Sequence, residues 1–376
     1  MTQTRRDFLS LSASLGLSAL LPGPIRAATV DPIKLTARPA TVQLAPSEYP
    51  QTQIWGYDGQ MPGTMIRVKQ GERVTRRFVN DLPQASSIHW HGVRIDNSMD
   101  GVAGLTQKAV PSGESFDYDF TAQDAGTFWY HAHNRSMEQV ARGLYGALIV
   151  DETEPVDVDR EEVLILDDWL LNPETAQLDP EFDSPHDKSH AGRRGNYIAT
   201  NGAAFTELSA KQNERLRLRL INAANARIFQ LALSGFEGWI MAYDGMPLDE
   251  PEKVSGTFLL APGQRIDLFV DVTAAPGETA HLVRIDDEEG FSQVSFPVEA
   301  TPTSIAAREA PLPLPPNPDM KVPDVGKARL FQLNMEGGAM GRLQSATYNG
   351  ETKSFRELVA ENQFWSFNGL LQSQGS

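Results

Sequence analysis

An all-β chain of tandem sandwich domains is predicted for this 376-residue sequence, and three observations predict it. Runs such as QLALSG, RIDLFVDV, GALIV and EVLIL are apolar, rich in β-formers and closed by Gly, Pro or Asp turns. Long helical periodicity is hard to find after the N-terminal segment. One stretch also repeats: KQGERVTRRFVN (69–80) and KQNERLRLRLIN (211–222) agree at six of twelve positions, with Val, Phe and Val exchanged for Leu, Leu and Ile. An offset of 142 residues makes the repeating unit a whole domain rather than a solenoid turn.

The elements follow in order. Residues 1–28 carry paired arginines in TRRDFLS, an apolar run from Phe8 to Leu21 and a small-residue end at Ala28. That order reads as a twin-arginine signal peptide and predicts an exported, periplasmic protein. The apolar run is shorter than the roughly 20 residues of a spanning helix, and no other candidate span follows. A first domain is expected over 29–153 and a second over 154–300. In each, a turn dipeptide (Asp58-Gly59, Asn201-Gly202) shortly precedes the repeated stretch. Residues 301–325, with APLPLPPNPD at their centre, read as a semi-rigid linker. Residues 326–376 hold a third dipeptide, Asn368-Gly369, and read as the beginning of an incomplete third domain. Phe364, Trp365 and Phe367 would then lack a sheet to pack on.

Composition narrows the function. Lys and Arg number 33 against 49 Asp and Glu, a formal charge of −16, and removing residues 1–28 would deepen it. Such a chain is a poor partner for nucleic acid or anionic membranes. There is no cysteine, hence no disulfide and no thiolate metal ligand.

Four of the seven histidines fall in IHWHG (88–92) and WYHAHN (129–134). On a strand, residues i and i+2 share a face. His89 and His91 therefore project together, as do His131 and His133. If the two strands are neighbours, four imidazoles converge on one site suited to copper, zinc, nickel or iron. One such pair is weak support, because strands also use histidine for ordinary hydrogen bonds. Two pairs in one domain are much stronger. Trp90, Trp129 and Tyr130 are expected to pack under the site. His186 and His190, in the polar loop SPHDKSHAGRRGN, and His281, in TAHLVRI, read as ordinary residues. So do Met335 and Met340, as loop packing.

IHWHG, DGVAGLTQ (100–107), GTFWYHAH (126–133) and GLYGALIV (143–150) resemble the first cupredoxin domain of the multicopper oxidases, the laccase-like and bilirubin-oxidase-like enzymes. YIATNG, RLRLINAANAR, AYDGMPL and LAPGQRIDLFVDV resemble that family's middle domain, and NMEGGAMG and FWSFNG the opening of its third. The resemblance implies cupredoxin-like Greek-key sandwiches. It implies oxidation of phenols, amines or metal ions at a type 1 copper, coupled to reduction of O2 to water at a trinuclear cluster. By the same resemblance His89 is a type 2 copper ligand, and His91, His131 and His133 are type 3 ligands. Asp100 corresponds to an acidic residue that assists proton delivery; a turn aspartate before Gly101 is the alternative.

The sequence departs from the family where the type 1 site should be. It has no cysteine and no HxxHxH, so the type 1 copper and the other four cluster ligands have no candidates. The expectation is a C-terminally truncated oxidase, inactive alone. The alternative is a non-catalytic exported cupredoxin protein that binds copper or serves as an envelope scaffold. Two-domain laccases, which assemble clusters between subunits, also need the cysteine.

Overall fold

The computed structural model describes residues 32–301, 303–318 and 324–371. The expected signal peptide lies outside the described residues, as does part of the expected linker. Among the described residues no helix is long and apolar enough to cross a membrane.

A first sandwich is built from β1 (Ile33–Val42), β2 (Thr52–Tyr57), β3 (Gly63–Lys69), β4 (Arg73–Asn80), β5 (Ile88–His91), β6 (Ser115–Thr121), β7 (Gly126–Ala132) and β8 (Tyr145–Asp151). One sheet has the order β2-β1-β4-β6 and the other β3-β8-β7-β5. From β2 to β7 successive strands alternate between the sheets, while β1–β2 and β7–β8 pair within one, a Greek-key arrangement. The alternation of each strand sends Leu35, Val74, Phe78, Tyr118, Trp90, Tyr130 and Leu148 into one shared core.

The second sandwich repeats the plan with β9 (Arg160–Trp169), β10 (Tyr197–Thr200), β11 (Arg215–Asn222), β12 (Phe229–Ser234), β13 (Phe236–Tyr243), β14 (Met246–Lys253), β15 (Thr257–Leu260), β16 (Arg265–Val272), β17 (Thr279–Asp286) and β18 (Glu289–Pro297). Its sheets have the orders β10-β9-β11-β16-β13-β14 and β15-β12-β17-β18. The repeated stretches become β4 and β11 and keep equivalent neighbours. Each pairs in parallel with the first strand of its sandwich and antiparallel with β6 or β16. The conserved details have visible jobs. Glu72 and Glu214 accept from the main-chain N–H of Lys69 and Lys211, closing the preceding turn. The terminal asparagines, Asn80 and Asn222, are buried, and each donates to two main-chain carbonyls.

The face of β7 and β8 turned away from the first core meets the second sandwich through an apolar layer that includes Trp129, Tyr145, Ile149, Ile165, Trp169 and Ile221. Residues 335–371 differ from expectation. Short strands β19 (Met335–Gly337), β20 (Ser345–Tyr348), β21 (Glu351–Ser354), β22 (Trp365–Phe367) and β23 (Leu370–Leu371) form a five-stranded sheet of their own. Phe364 is buried, and Trp365 Nε1 donates to Lys188 O at 2.6 Å, so these aromatics do find packing. Phe367 remains half exposed.

Candidate metal centre

Strands β5 and β7 pair antiparallel with His89 opposite His131 and His91 opposite Trp129. This register puts His89, His91, His131 and Trp129 on one face. Trp90 and Tyr130, also opposite each other, face the core. Trp90 and Tyr130 thus pack under the site as expected, whereas Trp129 stands beside it, 5.1 Å from His91 and 4.3 Å from His131 between ring centroids. The alternation carried that signal, since Trp129 is two residues before His131. His133 follows the end of β7, where its N–H donates to Ser87 O at 3.1 Å. Its ring centroid lies 5.2 Å from that of His89 and 6.0 Å from that of His131.

One ligand atom from each of His89, His91 and His131 falls within 4.8 Å of the other two. The far side of two rings is tied to main chain. His89 Nδ1 donates to Asp100 O at 2.8 Å, and His131 Nδ1 donates to Ala132 O at 3.0 Å. Both bonds put the proton on Nδ1 and the lone pair on Nε2, the arrangement that fixes tautomer and ring direction in metal sites. His131 Nε2 meets His91 Nδ1 at 3.1 Å. The Asp100 carboxylate is also near His89 Nδ1, at 3.3 Å. Asp100 gets there because Gly101 follows it: a Cβ at 101 would lie 1.6 Å from Ile88 O. Asp100 thus occupies the turn before Gly101 and also lies beside His89.

Burial, Arg265 and the neighbouring His89 and His133 push His91 down to about 3. Burial, then His89 and His91, holds His131 well below its ordinary value. His133 is lowered by burial and by His89. All three are thus neutral at physiological pH, the protonation state in which imidazole binds metal. The four rings line a cavity of about 480 Å³, whose other walls include Met137, Lys188, Asn225 and Gly263.

The remaining histidines lie apart from this ladder. His186 and His190 belong to a short helix and its end (Pro185–Ser189) rather than an irregular loop, and their rings stack at 4.1 Å. The i, i+4 spacing was the available signal. His281 shares a hydrogen bond with Ser292 Oγ at 2.8 Å. Met340 is almost fully exposed and Met335 half exposed, so neither packs as expected. Residues of the second sandwich at the site, chiefly Arg265 and Gly263, were not anticipated.

A family model described as Multicopper oxidase matches residues 39–155, and a second of the same description matches 160–295. The chain belongs to the multicopper oxidase family. Among curated relatives it is similar to a protein named Copper resistance protein A of Pseudomonas syringae pv. tomato, at 27% identity over 89% of this chain and 62% of that one. It is also similar to Multicopper oxidase MmcO of Mycobacterium tuberculosis, at 33% identity over 65% of this chain and 52% of that one. The chain thus spans about half to three fifths of these relatives. A crystal structure of a multicopper oxidase from Pseudomonas thermotolerans superposes with a TM-score of 0.73 at 36% identity, covering 81% of this chain and 71% of that one. The two sandwiches are accordingly cupredoxin-like.

Proposed function

We propose that His89, His91, His131 and His133 hold copper, and that this multicopper oxidase chain serves the oxidation of a small-molecule or metal-ion reductant with O2 as the electron acceptor, reduced to water. The observation that carries the reading is the β5–β7 face. Imidazoles converge there, two of them with the distal nitrogen fixed on a main-chain carbonyl. The donor set fits: borderline nitrogen ligands without thiolate or carboxylate suit copper. Copper bound there would supply one-electron redox chemistry.

The chain's own residues orient and shelter that site. Following the family resemblance, His89 is assigned to a type 2 ion and His91, His131 and His133 to a type 3 pair. Asp100 holds the His89 Nδ1 proton through its main-chain oxygen, and its carboxylate can take up or release a proton beside that ring. Trp129 and Met137 give the cavity an apolar wall. The 376 residues hold no cysteine, so the proposal places no thiolate–copper centre among them, and copper-loaded protein is expected to show no intense blue band. Export by the paired Arg5 and Arg6 belongs to the same reading.

Elemental analysis after copper loading tests it. The wild-type chain is expected to retain copper and the His131→Ala/His133→Ala variant to lose most of it. Equal content in both would show that the histidines are structural.

A further inference from the structure

We propose that Arg265, a residue of the second sandwich, is a positioning residue for His91 in the first. The inference rests on the copper reading above. Arg265 is 3% exposed, yet its guanidinium meets three main-chain carbonyls from three separate segments. Nε donates to Thr127 O on β7 at 3.3 Å, Nη1 to Gly263 O at 2.8 Å, and Nη2 to Asp244 O at 2.9 Å. Nη1 also pairs with the Asp244 carboxylate at 3.1 Å. Only a planar fork with donors in fixed directions can serve these acceptors at once; a lysine ammonium cannot.

These contacts surround His91 without touching its nitrogens. Strand β5 ends at His91, and Gly92 follows with φ +82°. A Cβ at 92 would lie 2.1 Å from Arg265 Nη2, so the guanidinium occupies the space a side chain there would take. Gly263, held by Nη1, borders the ring itself: a Cβ at 263 would lie 3.1 Å from His91 Cε1. Thr127 is two residues before Trp129, the partner of His91 across the ladder. One side chain therefore fixes the residue after His91, the loop at its ring edge and the strand opposite. A shift in any of them would turn the ring that meets His131 Nε2 at 3.1 Å. Outer groups that aim a ligand are worth about 10–100-fold in metal affinity when removed.

The test loads the full chain with Cu(II) and compares Arg265→Lys and Arg265→Met with Arg215→Met. Arg215 is also buried, and it pairs with Asp271 and Asp157 without reaching Thr127, Asp244 or Gly263. Equilibrium dialysis gives copper affinity, electron paramagnetic resonance gives the ligand field, and denaturation gives stability. Both Arg265 variants are expected to bind copper about 10–100-fold more weakly, with an altered spectrum. Arg215→Met, although destabilised, should keep wild-type affinity and spectrum. Gly263→Ala, which presses a methyl towards His91 with Arg265 intact, should change the spectrum in the same way, and it serves if Arg265→Met does not fold. Wild-type affinity and spectrum in Arg265→Lys and Gly263→Ala would overturn the inference. So would an equal change in Arg215→Met, because the effect would then be general loosening. Undiminished copper in His131→Ala/His133→Ala would overturn the copper reading and this inference together; loss of copper there with unaffected Arg265 variants would overturn this inference alone.

Discussion

Strands β4 and β11 are two copies of one stretch with the same ladder of charges, and they meet opposite surroundings. On β4, Arg73 and Arg77 pair with Asp119 and Asp117 of β6, and their side chains are 71% and 40% exposed. On β11, the equivalent Arg215 and Arg219 pair with Asp271 and Asp267 of β16 and are 1% and 0% exposed. Both copies send these arginines away from their own core. That face of β4 is exposed, whereas on β11 the first sandwich covers Arg219 through Thr127, and Asp157 and the main chain at Glu309 cover Arg215. There Arg219 also reaches Thr127 Oγ1 at 2.9 Å and Glu161 at 3.0 Å, and Arg217 joins Glu152 and Asp267. The same motif is thus surface decoration in one domain and the polar part of an interface in the other. A buried charge is tolerated only when it is paired, so the interface depends on the whole set.

The sharpest way to break the comparison is to remove the buried member of a matched pair. Arg219→Met would leave Asp267 with one arginine fewer and Glu161 without its buried partner. Losing one partner of a buried pair costs about 3–5 kcal/mol. A fall of that order in unfolding free energy is expected in urea titrations. A loss below about 1 kcal/mol would mean that water reaches this interface and that β11 is no different from β4.

Acid and alkali should sharpen it next, through two buried aspartates of the second sandwich. Burial raises Asp267, but Arg217 and Arg219 more than offset that and hold it below the ordinary carboxylate range. A depressed folded value means stability that is complete above the unfolded value, about 3.9, and is lost as pH falls through the folded one. Asp167, on β9, is buried beside Asp168, and both facts raise it well above its ordinary value. The sign reverses: its contribution favours the fold at low pH and is lost as pH rises through the raised value. Asp267→Asn should therefore flatten the acid limb of the stability–pH curve. Asp167→Asn should leave the acid limb alone and gain on wild type towards alkaline pH. Denaturation midpoints across the pH range check both, and matching curves for the two variants would count against the paired and unpaired environments described here.

How much of this could be read in advance follows the same division. Period-two alternation carries the face of a side chain, so the convergence of His89, His91 and His131 was legible. So were the domain repeat and the three turns, where Asp58-Gly59, Asn201-Gly202 and Asn368-Gly369 all take positive φ. What covers an outward face is not local information. The arginines of β11 look as solvated as those of β4 until Thr127 of the first sandwich and the main chain at Glu309 lie on them. Arg265 sits in a typical turn-to-strand sequence, PGQRIDLF, and its partners Thr127 and Asp244 are far from it in the chain. The sheet of residues 335–371 was missed because its strands are too short to show a period.

The smallest expected effect completes the comparison. Arg77 occupies in β4 the position of Arg219 in β11, and it pairs with Asp117 at 2.7 Å in good bidentate geometry. Both side chains are more than a third exposed, so the pair forms and breaks in high dielectric and is screened by salt. Arg77→Met should cost about 0–1 kcal/mol, with a difference that shrinks at high ionic strength. Beneath the pair, Phe78 and Val74 remain buried and the β4–β6 ladder keeps its main-chain bonds. The measurement is the same urea titration at low and high salt. A cost approaching that of Arg219→Met, or one insensitive to salt, would show that the outward face of β4 is covered too, by a partner that shields it as the first sandwich shields β11.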